Sequence, residues 1–366
     1  MYFPLKRVVI LAVFVGFLVC MGFVSFAYDN HQTVKSAVDS AQEVVHSFTS
    51  KPPEVPESYH HNWKDVQQQE KFAYVQYATD RNYLCNAIIN FARLKALGTK
   101  YDRVLIYPNN WDHEEKERRN NAAIRRVRTH FPGIKFRPAD LLVAKKGDPT
   151  WVAGLTKFHA FELTDYSRVL AFDSDSLVLN NMDHYFSAPR AAVAVPRAYW
   201  LNEANTTVGD QVLGSHVMLL EPKQTRYQQL VDEADRTGDL DMEVVNHMFK
   251  SSAMILPHRG LALLTGEFRS ADHSKYLAGD DDDKWDAAAE AASAYLVHFS
   301  DWPLPKPWVH HSEEQWNAAL PKCPGDAERK RTTTQRRRDC PDRTVWTGFY
   351  EDYRVEKDLQ CQFLVD

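Results

Sequence analysis

Short apolar strands alternating with helices between Phe72 and Phe172 predict an α/β fold on a mixed, mostly parallel sheet with helices on both faces. Two further observations frame that domain. An uncharged run from Val8 to Ala27 precedes it, and a pair of carboxylates, Asp173 and Asp175, directly follows its most apolar strand.

The run comes first in chain order. At about 1.5 Å of rise per residue it spans roughly 30 Å, the hydrocarbon thickness of a bilayer. Lys6 and Arg7 precede it and Asp29 follows, a bias that leaves the short N-terminus cytoplasmic and everything after Tyr28 lumenal. A cleaved signal peptide is the rival reading, because Ser25-Phe26-Ala27 has the small-x-small form of a cleavage site. The run exceeds the usual apolar core of such peptides, roughly 7–15 residues, which favours an uncleaved transmembrane anchor. Asn205-Thr206-Thr207 is an N-glycosylation acceptor, meaningful only in the secretory pathway. Residues 29–70 are polar, contain Pro52, Pro53 and Pro56, and read as a stem.

Ordered structure is expected to begin with the aromatic and β-branched strand Phe72–Tyr77. Thr79 and Asp80 supply a turn and an N-cap, and Gly98 stops a helix from about Tyr83 to Leu97. A strand at 103–107, a charged helix from about Glu114 to His130, a strand at 134–136 and a helix at 156–164 follow. The strand Val169-Leu170-Ala171-Phe172 then runs into Asp173-Ser174-Asp175. In parallel sheets ligands sit beyond the carboxyl ends of the strands, which is where this pair falls. Domain boundaries follow: residues 1–28 are tail and anchor, 29–70 stem, 71–318 catalytic domain and 319–366 a C-terminal extension.

The chain has 366 residues, 25% of them charged and 44% hydrophobic, with a net charge of −5. These values suit a globular protein and do not suit a nucleic-acid binder, which is usually basic. Cys20 lies in the anchor. Cys323, Cys340 and Cys361 lie in the tail without the CxxC spacing of a metal site, so a disulfide within the tail is expected, with Cys85 a buried thiol. Spacing does not fix the pairing.

Two carboxylates at a strand end are costly unless a cation meets them. Their hard oxygens suit Mn²⁺, or Mg²⁺, and a diphosphate is the natural third partner. An Asp-x-Asp alone is a common turn. The surrounding block, from Gly154-Leu155-Thr156-Lys157-Phe158-His159 through Leu163-Thr164-Asp165 to Asn180-Asn181-Met182-Asp183, resembles the signature of the glycogenin-like family 8 glycosyltransferases. The resemblance covers roughly Phe72 to Trp308. It implies a GT-A fold, a single Rossmann-like catalytic domain that binds a UDP-sugar donor through Mn²⁺ and delivers the sugar to a glycan acceptor with retention of configuration.

Carried over residue by residue, the resemblance makes Asp173 and Asp175 metal ligands and brings the backbone around Ser174 to the ribose. Lys157 would reach the donor sugar and phosphates. Tyr295 to Trp308 looks like the family's closing pattern, which makes His298 the third metal ligand and Lys306 a cation for the departing diphosphate. This chain lacks that pattern's glycine and carries two extra residues before Lys306. Tyr77, Thr79, Asp80 and Tyr83 fall where the family holds uracil and ribose, Tyr77 stacking on the base and Asp80 accepting from its ring nitrogen.

Two segments depart from the glycogenin pattern. His216 replaces a glycine and would reshape the sugar pocket; Met242 replaces a glutamine, while Asp241 is retained as an acid near the sugar. These departures, together with the anchor, resemble fungal Golgi N-acetylglucosaminyltransferases, single-pass type II membrane enzymes that cap mannose chains. Asp241 is the one residue offered as a nucleophile, and a front-face route needs none.

Other stretches read plainly. Asp280 to Asp283 reads as a solvated loop, and the basic groups around Arg329 and Arg336 as surface. Trp302, Trp308 and Trp346 read as packing, with an acceptor groove as the alternative. Three rivals remain: a glucosyl- or galactosyltransferase acting on another acceptor, a catalytically silent lumenal glycan-binding protein, and a metal-dependent phosphodiesterase or nuclease. The last needs more Asp/His ligands than the chain offers.

Overall fold

The computed structural model describes residues 70–364, apart from 114, 204–205, 208, 279–282 and 324–339. The expected anchor, stem, glycosylation site at Asn205 and most of the acidic and basic runs lie outside the described residues. Among the described residues no helix is long and apolar enough to cross a membrane.

The strands are β1 (Phe72–Tyr77), β2 (Asp102–Pro108), β3 (Ile134–Ala139), β4 (Arg168–Phe172), β5 (Ser176–Val178), β6 (Val193–Pro196), β7 (Val217–Leu220), β8 (Met254–Leu256), β9 (Ala262–Leu264) and β10 (Leu296–His298). The helices are α1 (Arg81–Ala96), α2 (Arg118–His130), α3 (Gln224–Thr237), α4 (Asp241–Phe249), α5 (Ser274–Leu277), α6 (Ala287–Ser293), α7 (Glu313–Ala319) and α8 (Pro341–Gln360). A seven-stranded sheet has the order β3-β2-β1-β4-β7-β6-β8, and a three-stranded sheet the order β5-β10-β9. In the large sheet only β7 runs against its neighbours, antiparallel to both β4 and β6. The mixed, mostly parallel sheet expected from the alternating pattern is therefore present. Its order reverses between β1 and β4, and the crevice at such a switch point is where open α/β sheets bind ligands.

Side chains on the central strands sort by parity onto two buried faces, as a strand's two-residue period requires. Tyr74, Leu105 and Leu170 pack with α1, α2 and α8 on one face. Ala73, Val75, Val104, Ile106, Val169 and Ala171 pack with residues 155–161, α3 and α4 on the other. Burial on both sides explains why these strands read as nearly continuous apolar runs.

α1 starts where Asp80 accepts from the backbone N–H groups of Asn82 and Tyr83, satisfying donors that a helix start leaves open. Two buried amides tie this helix and β1 to the strands that carry the acidic pair. Asn90 Nδ2 donates to Ser176 O at 2.9 Å, and Gln76 Nε2 to Phe172 O at 3.1 Å.

Several expectations need correction. The segment at 156–164 is not α-helical but a 3-10 helix, Val152–Glu162, buried from Leu155 to Phe161 with Thr156, Lys157 and His159 among its apolar residues. The charged helix begins at Arg118 rather than near 114. Cys85 is not a free thiol: it is bonded to Cys361, with Cα atoms 5.7 Å apart. The disulfide expected within the tail is Cys323–Cys340. Cys85 pairs with the tail because α8 lies along α1 and enters the core. Trp346 is fully buried, Tyr350 donates to Asp301 Oδ2 at 2.8 Å, and Tyr353 donates to Asn86 Oδ1 at 2.7 Å.

Candidate active site

The acidic pair is fixed by two backbone hydrogen bonds and the hydroxyl of Ser174. β4 ends at Phe172, and Asp173 N–H donates to His216 O at 2.9 Å. Ser174 Oγ donates to Tyr77 O at 2.6 Å, closing the crevice between β1 and β4. Asp175 O accepts from Phe299 N–H at 3.0 Å. The chain then turns into β5, which pairs antiparallel with β10 so that Ser176 faces His298 in register. That pairing carries a histidine more than a hundred residues away in sequence to the two aspartates.

One ligand atom from each of Asp173, Asp175 and His298 lies within 4.8 Å of the others. His298 Nε2 is 3.1 Å from Asp175 Oδ1 and 3.8 Å from Asp173 Oδ2, so one ring nitrogen faces both carboxylates. Two carboxylate oxygens and an imidazole nitrogen are a donor set for a hard or borderline divalent ion. The residues present fit the metal that the Asp-x-Asp suggests.

Two lysines complete the cluster. Lys157 is 4% exposed, with Nζ 2.5 Å from Asp173 Oδ1 and 2.7 Å from Asp241 Oδ2. Lys306 Nζ is 2.7 Å from Asp175 Oδ2 and also donates to Phe299 O. Ser215 Oγ donates to Asp241 Oδ2 at 2.6 Å. Asp241 opens α4, where the helix dipole favours a carboxylate. Gly154 lets the backbone pass beside it: a Cβ there would lie 3.0 Å from Asp241 Oδ1.

The electrostatics follow from this packing. Burial raises Asp173 to about 6 against the opposing charge of Lys157, while neighbouring Asp175 and Asp241 push the same way as burial. Burial would also raise Asp175, but His298 and Lys306 overcome it and hold its carboxyl well below the usual range. At Asp241 burial is likewise overcome, by the charge and hydrogen bond of Lys157 and by Ser215, and the net shift is downward. Burial alone would weaken the Lys157 ammonium, but the charges and hydrogen bonds of Asp173 and Asp241 overcome it and leave a firmer cation than a free lysine. Around neutral pH three carboxylates face two ammonium groups, a net charge of one negative. A divalent ion would reverse its sign and prepare the pocket for an anion.

The remaining sequence-predicted residues take distinct places. Tyr77 is 7% exposed and its hydroxyl donates to Asp173 Oδ1 at 3.3 Å, so it supports the acidic pair and shows little open ring face. Tyr83 packs edge-on against Trp308, with ring centroids 5.2 Å apart. Burial and the charges of Asp175 and Asp173 raise its hydroxyl above its ordinary value. Thr79 and Asp80 follow β1 at the same strand end, Asp80 exposed and capping α1.

His216 is buried, and its ring lies 5.7 Å from that of His298. Burial, then the charges of His298 and Lys157, lower it to about 3, so its imidazole is neutral at physiological pH. Gly214 makes room for this ring, since a Cβ there would sit 2.7 Å from His216 Cε1. Ser215 was not singled out from the sequence; its place beside the departing residue His216 was the available signal.

No protein-family model matches the chain. A protein named glucose N-acetyltransferase 1 from Gibberella zeae is 40% identical over 297 residues, covering 80% of this chain and 63% of that protein; the chain thus spans less than two-thirds of that relative. The protein of the same name from Aspergillus fumigatus is 38% identical over 308 residues, covering 79% of this chain and 77% of that protein. Among solved structures, the galactosyltransferase LgtC in complex with donor and acceptor sugar analogues is 16% identical. That match covers 67% of this chain and 92% of LgtC at a TM-score of 0.47. Mouse xyloside xylosyltransferase 1 is 14% identical, covering 64% of this chain and 99% of that chain at a TM-score of 0.40. At these levels of identity and coverage, the chain belongs to the family of the fungal proteins named glucose N-acetyltransferase 1.

Proposed function

We propose that the chain is a GT-A glycosyltransferase that transfers N-acetylglucosamine from UDP-N-acetylglucosamine, with Mn²⁺ as the metal, onto a mannose-containing glycan. The observation that carries this reading is the Asp173–Asp175–His298 cluster with Lys157 and Lys306, set at the switch point between β1 and β4. The relatives' name, taken literally, is acetyl transfer onto glucose, but glucose has no nitrogen to receive an N-acetyl group. Transfer of a sugar already bearing that group fits the name and the site together.

A metal bound here supplies charge to the leaving diphosphate. The chain's own residues do the rest. Lys157 pairs with Asp173 and Lys306 with Asp175, and both offer donors to phosphate oxygens as charge develops there. Asp241 holds Lys157 in position. Because Asp241 Oδ2 is engaged by both Lys157 and Ser215, its nucleophilicity is reduced. This favours a front-face, retaining route in which the acceptor hydroxyl approaches from the side the diphosphate leaves. His216, neutral and beside His298, shapes the donor pocket where the N-acetyl group would lie. The uncharged run at 8–27 is read as a Golgi anchor that places the domain in the lumen.

A donor competition tests the reading. With Mn²⁺ and mannotriose, UDP-N-acetylglucosamine should outcompete UDP-glucose by roughly ten- to a few-hundred-fold, the discrimination expected from one well-seated buried amide. Equal use of both donors would leave a glycosyltransferase of other specificity, and no metal-dependent use of either would sink the enzyme reading.

A further inference from the structure

Beyond the metal cluster, one aromatic side chain stands at its open edge. Trp200 lies in the 3-10 turn Tyr199–Leu201 and is 37% exposed, and Leu201 beside it is 50% exposed. Its ring centroid is 5.7 Å from that of His216, which is 5.7 Å from that of His298. His216 thus neighbours both the ring of His298 and that of Trp200. The tryptophan is the most exposed of the three, at 37% against 15% for the His298 side chain and 7% for His216.

The turn is built to hold that tryptophan still. Asn202 Nδ2 donates to Ala198 O at 3.0 Å and to Val212 O at 3.1 Å, and its Oδ1 accepts from Val212 N–H at 2.7 Å. Ala198 N–H donates to Val212 O at 2.9 Å, and Gly214 N–H to Pro196 O at 2.8 Å. Tyr199, next in sequence, is buried, donates to Glu267 Oε2 at 2.9 Å and stacks on His258. The turn is therefore fastened to residues 212–214, directly before Ser215 and His216, and moves with the site. An exposed aromatic residue held rigidly beside a polar site does not serve core packing, because its own neighbours, Tyr199 and Asn202, do the anchoring.

We infer that Trp200 is the platform on which the acceptor sugar stacks its apolar C–H face, presenting a hydroxyl toward the donor carbon beside His216. This rests on the functional reading above. The succession of ring contacts supports the order, with the donor sugar next to His298 and His216 and the acceptor against the more exposed indole. Stacking fixes the plane of the acceptor ring, and a front-face transfer depends on that orientation.

The test uses the purified full chain with Mn²⁺, UDP-N-acetylglucosamine and mannotriose, comparing the parent with Trp200→Ala and Trp200→Phe. Trp151→Ala, which removes another exposed tryptophan (41%), serves as the control. Trp200→Ala should raise the mannotriose KM by about tenfold or more while the donor KM stays within about twofold, since a lost stack acts on the acceptor alone. Trp200→Phe should recover most of the loss, and Trp151→Ala should match the parent. An unchanged acceptor KM in Trp200→Ala, or donor and acceptor KM rising together, would overturn the inference while leaving the transferase standing. A parent chain that releases no UDP with metal present would overturn the functional reading itself. UDP release without transfer to mannotriose would overturn the acceptor class assigned to the platform.

Discussion

Replacing Lys157 by methionine keeps most of the side-chain volume and removes the cation that two buried carboxylates share. Its Nζ lies 2.5 Å from Asp173 and 2.7 Å from Asp241, and the lysine is 4% exposed. Removing one partner of a buried ion pair costs about 3–5 kcal/mol, because the remaining charge is left uncompensated. The lower end applies here. Both aspartate side chains are slightly open to solvent, at 15% and 13%, and Asp241 keeps Ser215 and the start of α4. A divalent ion at a thousand times its dissociation constant contributes about 4 kcal/mol to any fold that binds it, and more to a variant in which no lysine competes for Asp173. Lys157→Met should therefore lose about 3 kcal/mol in urea unfolding with EDTA, and the gap should narrow to under about 1 kcal/mol in saturating Mn²⁺. Transfer should not return with stability, because the phosphates still lack the ammonium donor. An equal gap with and without metal, or no loss in EDTA, would refute the argument that this lysine stands in for part of the metal's charge.

Other expectations concern the same fold. Asp175→Asn should cut Mn²⁺-dependent transfer by about two orders of magnitude or more while circular dichroism stays native, and near-normal transfer would remove Asp175 from the ligand set. The proposed ligand Asp173 must be ionised to hold a metal, and burial raises it to about 6, so Mn²⁺ affinity should be level above that pH and fall about tenfold per unit below it. Calorimetric titrations at pH 5, 6 and 7 check this, and a flat profile contradicts it. Removing Cys85–Cys361 as a paired serine variant should destabilise the protein by about 2.5 kcal/mol more than removing Cys323–Cys340. The closed segments differ in length, 276 residues against 17, and chain entropy scales with the logarithm of that length. Equal losses on chemical denaturation would show that the longer link constrains little.

What the sequence disclosed follows the range of the interactions involved. β1 was readable to the residue because four of its six positions are aromatic or β-branched, and β4 because its apolar run meets Asp173 abruptly. Asp173, Asp175 and Lys157 lie close together in the chain, so a local pattern held them. His298 was legible only through its flanking pattern, since the contact that makes it meaningful is the pairing of β10 with β5. The link from Cys85 to Cys361 had no local signal at all. α8 reads as a charged tail because its apolar stripe, Trp346, Phe349, Tyr350 and Tyr353, is interleaved with Asp, Glu, Arg and Lys. The 3-10 geometry of Val152–Glu162 was hidden because its apolar residues have no helical periodicity to expose it.

The bond between Cys85 and Cys361 sets an order of events during synthesis. α1 emerges early and carries one of the two sulfurs, but its partner is made 276 residues later. The helix that brings that partner also supplies Trp346 and Tyr353 to the packing around α1. The N-terminal half of the sheet therefore cannot finish burying its helix face while the chain is still being made, and must wait, partly exposed, for the last helix. A truncated product that retains every residue of the acidic cluster would still lack this cover. The domain closes as a ring rather than growing from one end, and only where thiols are oxidised can that ring be sealed.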